Sequence, residues 1–111
     1  MAITNTAIQT TNTTLFSSSG TNAITTIIVC NTATFDPNNP TTGQTNLYLY
    51  AVPSGTSPIS NTQLIVNGLP IPAGETVTFD QEKIVLGNGD YLVAKSDSPA
   101  NLVATVSTLV V

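Results

Sequence analysis

Nowhere in this chain do apolar residues recur at helical spacing over three turns; they come in short alternating runs separated by turn-forming clusters. Alternation at every second position places successive side chains on opposite faces of an extended ribbon, so the pattern specifies strands. Residue choice agrees with it. Thr, Val and Ile fill 39 of the 111 positions, and branching at Cβ stiffens all three in favour of a pleated surface. Strands are predicted near residues 2–9, 13–17, 23–31, 45–52, 62–66, 75–80, 82–87, 90–96 and 102–110. Between them, Ser17-Ser18-Ser19-Gly20, residues 35–43, residues 53–58, Pro70-Ile71-Pro72-Ala73-Gly74 and Ser96-Asp97-Ser98-Pro99 supply Gly, Pro, Asn or Ser where the chain must reverse. The expected fold is all-β: a single-domain, two-layer antiparallel β-sandwich over residues 1–111, jelly-roll or immunoglobulin-like in connectivity. Residues 1–20 are expected as an extended arm or an edge strand.

The sharpest local signal is Leu86-Gly87-Asn88-Gly89-Asp90-Tyr91. Asn-Gly between two alternating runs is a type I′ hairpin signature, because both residues tolerate a positive φ. A two-residue loop would set Leu86 opposite Tyr91, Ile84 opposite Val93 and Glu82 opposite Lys95. That ion pair would contribute about 0.2–1 kcal/mol. The other face would pair Val85 with Leu92 and Lys83 with Ala94.

Several strands read as apolar on both faces. In residues 23–31, strict alternation sets Ile24, Ile28 and Cys30 against Ala23, Ile27 and Val29. In the last strand, Leu102, Ala104, Val106 and Val110 oppose Val103 and Leu109. Charged residues make up 7% of the chain, against roughly 25% in ordinary soluble domains. Strands apolar on two sides are buried on two sides, and a chain of this length is too short to cover them all. The expected cover is further copies of itself, a trimer foremost, or a partner lattice. Interface candidates are Val85, Leu92 and Ala94 on the second hairpin face, Tyr48 and Tyr50 on an apolar strand, and Asp36, Pro37, Asn38, Asn39 and Pro40 in the longest loop.

Catalytic chemistry finds little to stand on. The chain has no His and one Cys, and its two cations are Lys83 and Lys95. A serine nucleophile would lack its usual base, and no Gly-x-Ser-x-Gly elbow surrounds any serine. Asp80-Gln81-Glu82 reads as a hairpin rim rather than an acid–base pair. Asp36-Pro37-Asn38-Asn39 has carboxylate and amide oxygens but lacks the glycine and closing glutamate of a calcium loop. No glycine-rich phosphate cradle opens a helix. We therefore expect no enzyme activity, no metal and no cofactor. Two Lys cannot neutralise many phosphates, so no nucleic-acid partner is expected. No apolar run approaches the roughly 18 residues of a membrane helix, and the first residues carry no signal-peptide pattern. Cys30 reads as an inert, buried thiol. Asn12-Thr13-Thr14 matches a glycosylation acceptor, to which no secretion signal adds weight.

Three stretches together resemble a known group. They are Phe16-Ser17-Ser18-Ser19-Gly20 leading to Ile28-Val29-Cys30-Asn31, then Tyr48-Leu49-Tyr50-Ala51-Val52-Pro53-Ser54-Gly55, then residues 71–90 with Pro72-Ala73-Gly74-Glu75-Thr76, Glu82-Lys83-Ile84-Val85-Leu86 and Asn88-Gly89-Asp90. In these the chain is similar to small structural proteins of tailed bacteriophage virions, in particular the short Thr/Asn/Val-rich accessory proteins of marine and cyanobacterial phages. The resemblance spans most of the chain and rests on turns and strands. The insertion at residues 36–43 departs from it. It implies a compact β-sandwich present in many copies on a particle assembled in the host cytoplasm. The implied function is a cement or decoration protein holding major capsid subunits or other virion proteins together through sheet faces and edge strands. One alternative is a tail, neck, baseplate or fibre component. Another is a receptor- or glycan-binding module, contacting its ligand through Tyr48, Tyr50 and residues 53–58.

Overall fold

The computed structural model describes residues 2–80 and 83–111. Among them the chain forms nine strands: β1 (Ala2–Ala7), β2 (Thr13–Ser17), β3 (Asn22–Asn31), β4 (Thr45–Val52), β5 (Leu64–Ile71), β6 (Thr76–Phe79), β7 (Ile84–Leu86), β8 (Tyr91–Ser96) and β9 (Leu102–Val110), with a 3-10 turn at Asn61–Gln63. They build two antiparallel sheets. One runs β1-β9-β3-β6, with β7 sharing the β3 edge beside β6; the other runs β2-β8-β4-β5. Apart from the β4–β5 and β6–β7 links, each connection passes from one sheet to the other. This is jelly-roll connectivity, in which two Greek keys fold into facing sheets. It answers the choice between the two sandwich topologies.

The core lies between the sheets. Ile24, Ile27, Val29, Ala104 and Val106 from one meet Leu47, Leu49, Leu92 and Ala94 from the other, all within a few percent of full burial. Alternation carries this for β9, where Leu102, Ala104, Val106 and Thr108 point inward. It fails for β3. Pairing with β9 slips between Ile24 and Thr26, so a β-bulge at Thr25 inserts one residue and reverses the parity beyond it. Ile24 therefore shares the inner face with Ile27 and Val29, while Ile28 and Cys30 point out. Thr25 Oγ1 donates to the Ser107 carbonyl at 3.1 Å, which gives that carbonyl a partner where the ladder is interrupted.

The Asn88-Gly89 segment does not close a hairpin. The β7 strand pairs with β3 through Leu86↔Asn22, Val85↔Ala23 and Ile84↔Ile24, whereas β8 lies in the other sheet between β2 and β4. The Asp90 N–H donates to the Gly87 carbonyl at 3.1 Å, and Gly89 alone within the turn has positive φ, +87°. That is a type II turn, whose twist splays its flanking strands instead of pairing them. The expected Leu86–Tyr91, Ile84–Val93, Val85–Leu92 and Lys83–Ala94 pairs are thus absent. The expected Glu82–Lys95 pair and the Asp80–Glu82 rim fall partly on residues 81–82, outside the described residues.

Of the two expectations for residues 1–20, the structure has the edge strand. The β1 strand pairs along its full length with β9, and β2 pairs with β8.

Candidate interaction surfaces

Four rows of side chains cross the outer face of the β1-β9-β3-β6 sheet. Strand register places Ala7, Val103, Cys30 and Thr76 in one, and Asn5, Thr105, Ile28 and Thr78 in the next. Ile3, Ser107 and Thr26 follow, then Leu109, Ala23 and Val85. No charged residue stands in these rows. Val85 is 63% exposed, Ile3 67% and Leu109 42%, large fractions for apolar side chains on one surface. Cys30 is half-buried here, on the surface and not in the core.

The outer face of the β2-β8-β4-β5 sheet differs. Tyr50, Val52 and Val93 point outward yet are buried, packed with Tyr48, Ile59, Leu64 and Tyr91. Their cover is the chain's own β4–β5 connection, residues 53–63. Ser54 N–H donates to Asp90 Oδ1 at 2.8 Å and the Tyr91 hydroxyl to the Thr56 carbonyl at 3.2 Å. Ser60 caps the 3-10 turn: its N–H donates to Gln63 Oε1 at 2.8 Å while its Oγ accepts from Thr62 N–H at 3.3 Å. On this sheet the chain covers its own outer face, and the expectation of cover from outside is left to the other sheet.

The interface candidates separate accordingly. Val85 lies on the open face. Leu92 and Ala94 are 0% exposed in the core, because β8 joins the opposite sheet. Tyr50 is buried under the loop. Tyr48 remains partly exposed, but its ring is engaged on both sides: Lys95 Nζ lies 5.2 Å from the ring centroid, and a Cβ at Gly68 would come within 3.5 Å of Cε2. Gly68, at φ +70°, is the extra residue of a bulge against Leu47 and Tyr48. The Tyr48 hydroxyl donates to Asp97 Oδ2 at 3.1 Å, and Asn46 Nδ2 donates to the same oxygen at 2.9 Å. That hydrogen bond, then burial, then the Asp97 charge raise the phenol above its ordinary pKa. Two stacked-sugar platforms at Tyr48 and Tyr50 are not what the sheet presents.

Asp36, Pro37, Asn38, Asn39 and Pro40 lie at one end of the sandwich, with residues 37–40 exposed. Asp36 Oδ1 accepts from Asn38 N–H at 2.9 Å, a side-chain turn closing on the loop itself. Asn31 anchors the far end of this connection. It is 1% exposed, and its Nδ2 donates to the carbonyls of Gly43 at 2.8 Å and Ile71 at 3.0 Å. At the opposite end Asp90 plays the matching part, accepting from Gly87 N–H and Ser54 N–H, both at 2.8 Å. Sequence reasoning missed Asn31, Ile59, Asp90 and Asp97. Only Asp90, next to a Gly-Asn-Gly turn, carried a local signal.

The sheet edges are unequal as well. The β5 edge holds Pro70 and two bulges, β2 is bulged between Thr14 and Phe16, and β6 and β7 divide one edge between them. Such irregularities discourage pairing by another strand. The β1 edge is regular, uncharged and free of proline. Between β5 and the β6–β7 edge an apolar cleft of about 340 Å³ is lined by Ile27, Leu49, Ile65, Val66, Phe79 and Ile84. Among the described residues, no group of three His, Cys, Asp or Glu gathers where it could hold a metal. Lys83 Nζ donates to the carbonyls of Thr25 and Asp80. Across the described residues no helix is long and apolar enough to cross a membrane. The chain matches no protein-family model, no curated protein and no solved structure.

Proposed function

We propose that this protein is a non-enzymatic virion structural protein, foremost a cement or decoration protein that stabilises a major capsid lattice. The observation that carries the reading is the open outer face of the β1-β9-β3-β6 sheet, whose four rows hold no charged residue, continuous with the regular β1 edge. A face of Val, Ile, Ala and Thr gains free energy when covered, at about 25 cal/mol per Å² of apolar surface. A regular edge adds main-chain hydrogen bonds to a neighbouring strand. Both act through position and neither needs a reacting group. The jelly roll also serves viral capsid domains, which is support by fold analogy only.

The resemblance to phage accessory proteins supplies the particle. Repetition supplies the strength, since modest contacts made many times hold a shell through multiplicity. Cryo-electron microscopy of the source particle tests this. Hundreds of copies at lattice symmetry axes are expected. Six or twelve copies near one vertex would move the protein to the neck or tail, and absence from purified particles would overturn the virion reading.

A further inference from the structure

We propose that the outer face of the β1-β9-β3-β6 sheet is a self-association surface whose occupant is the same face of a second copy of this chain. The inference rests on the building-block reading and adds the surface and the partner. Three observations point to a second copy. First, the net charge is −4 and copies repel, yet the four rows hold no charge. The described charges bordering them at the β6–β7 edge, Lys83 and Asp80, are of opposite sign, so two such faces meet with little like-charge repulsion. Second, the face sets apolar Ile28, Val103, Val85 and Leu109 beside a few neutral polar groups, Asn5, Thr105 and Ser107, and the Thr105 hydroxyl already donates to Asn5 Oδ1 at 2.9 Å. The Ser107 hydroxyl and the Asn5 amide N–H can each pair with an acceptor on a facing copy, so the surface complements itself.

Third, the dimensions suffice. The four lanes hold six (β1), nine (β9), ten (β3) and seven (β6 with β7) residues. At about 4.8 Å between strands and about 3.3 Å per residue they span about 510 Å². Two faces then bury about 1,000 Å², the size at which a specific pair begins. Identical sheets share one twist, and twisted sheets stack about 10 Å apart at about −30°, the packing that sandwiches already use internally.

Cys30 sits within this face and is the chain's single thiol, which makes it a built-in reporter. The experiment measures solution mass by sedimentation equilibrium alongside the rate of Cys30 modification by a small thiol reagent, on the full chain. The expected result is a mass rising from one copy to two, and a rate falling about tenfold between about 0.1 and 100 µM, as mass action gives for a micromolar pair. Ile28→Lys is expected to hold the mass at one copy and keep the thiol rate constant. Asn38→Lys, which makes the same charge change in a remote loop, is expected to behave as the parent. Circular dichroism on each variant establishes folding. A one-copy mass with concentration-independent thiol reactivity in the parent chain overturns the inference, as does association that Ile28→Lys leaves intact. Neither result touches presence on the particle, which the copy count measures separately.

Discussion

Residues 53–63 lie over Tyr50, Val52 and Val93 on the outer side of the β2-β8-β4-β5 sheet, whereas Val85, Ile3 and Leu109 face outward from the other sheet with no described segment across them. The two faces have similar apolar content, so composition does not separate them. Connectivity does. In a jelly roll most links are spent crossing from sheet to sheet at the ends. The long link at residues 32–44 is of this kind, and Asn31 ties it down at the end of the barrel. The β4–β5 link stays within its own sheet and has surplus length, so it folds back onto the face beside it. One face is thereby completed by the chain itself and the other is left open.

Tyr50→Ala should break the comparison most severely. It empties the covered cluster and is expected to cost about 3–5 kcal/mol in denaturant unfolding, whereas Ile28→Ala at the centre of the open face should cost less than about 1 kcal/mol in the isolated copy. Equal losses would mean that the faces are not different in kind. Asp90→Ala strips the carboxylate from the Gly87 and Ser54 amides and is expected to cost about 1–3 kcal/mol. Amide exchange should quicken in residues 53–63 and stay unchanged on β1 and β9. Ile59→Ser tests the cover alone, with an expected loss of about 1–2 kcal/mol and new fluorescence quenching of the tyrosines beneath.

The smallest effect is expected at Tyr48. Its hydroxyl holds its proton more tightly in the folded chain than in the unfolded one, because the hydrogen bond to Asp97 and that residue's charge oppose ionisation. A raised pKa contributes stability below the ordinary tyrosine value of 10.0, and the contribution is lost as pH rises through the folded-state pKa. Tyr48→Phe should flatten that alkaline limb by removing the small contribution at neutral pH, so that the variant and the parent converge in stability as pH rises past the folded-state pKa. Absorbance titration of the phenolates checks the assignment.

Strand positions were legible because alternation and turn residues are local. The predicted 45–52 and 13–17 coincide with β4 and β2, and only the fifth strand, predicted at 62–66, sits displaced at Leu64–Ile71. Faces and partners were less legible. The parity of β3 turned on one extra residue at Thr25 that nothing in Ile24-Thr25-Thr26-Ile27 announces. Asn88-Gly89 fits two turn types, and which one forms depends on whether β7 finds a better partner in β3 than in β8. Of the interface candidates, Val85 holds its place on an open surface, while Leu92, Ala94 and Tyr50 went to interiors.

The amino-acid sequence determined an all-β chain with its strands and turns in place, because side-chain branching, period-two alternation and Gly or Pro punctuation act over a few residues. Tertiary structure decided which sheet each strand joins, which way β3 faces past its bulge, and which apolar surface the chain covers for itself. Those outcomes depend on competition among distant strands for the same edges and on where surplus loop length falls, and no local pattern encodes either.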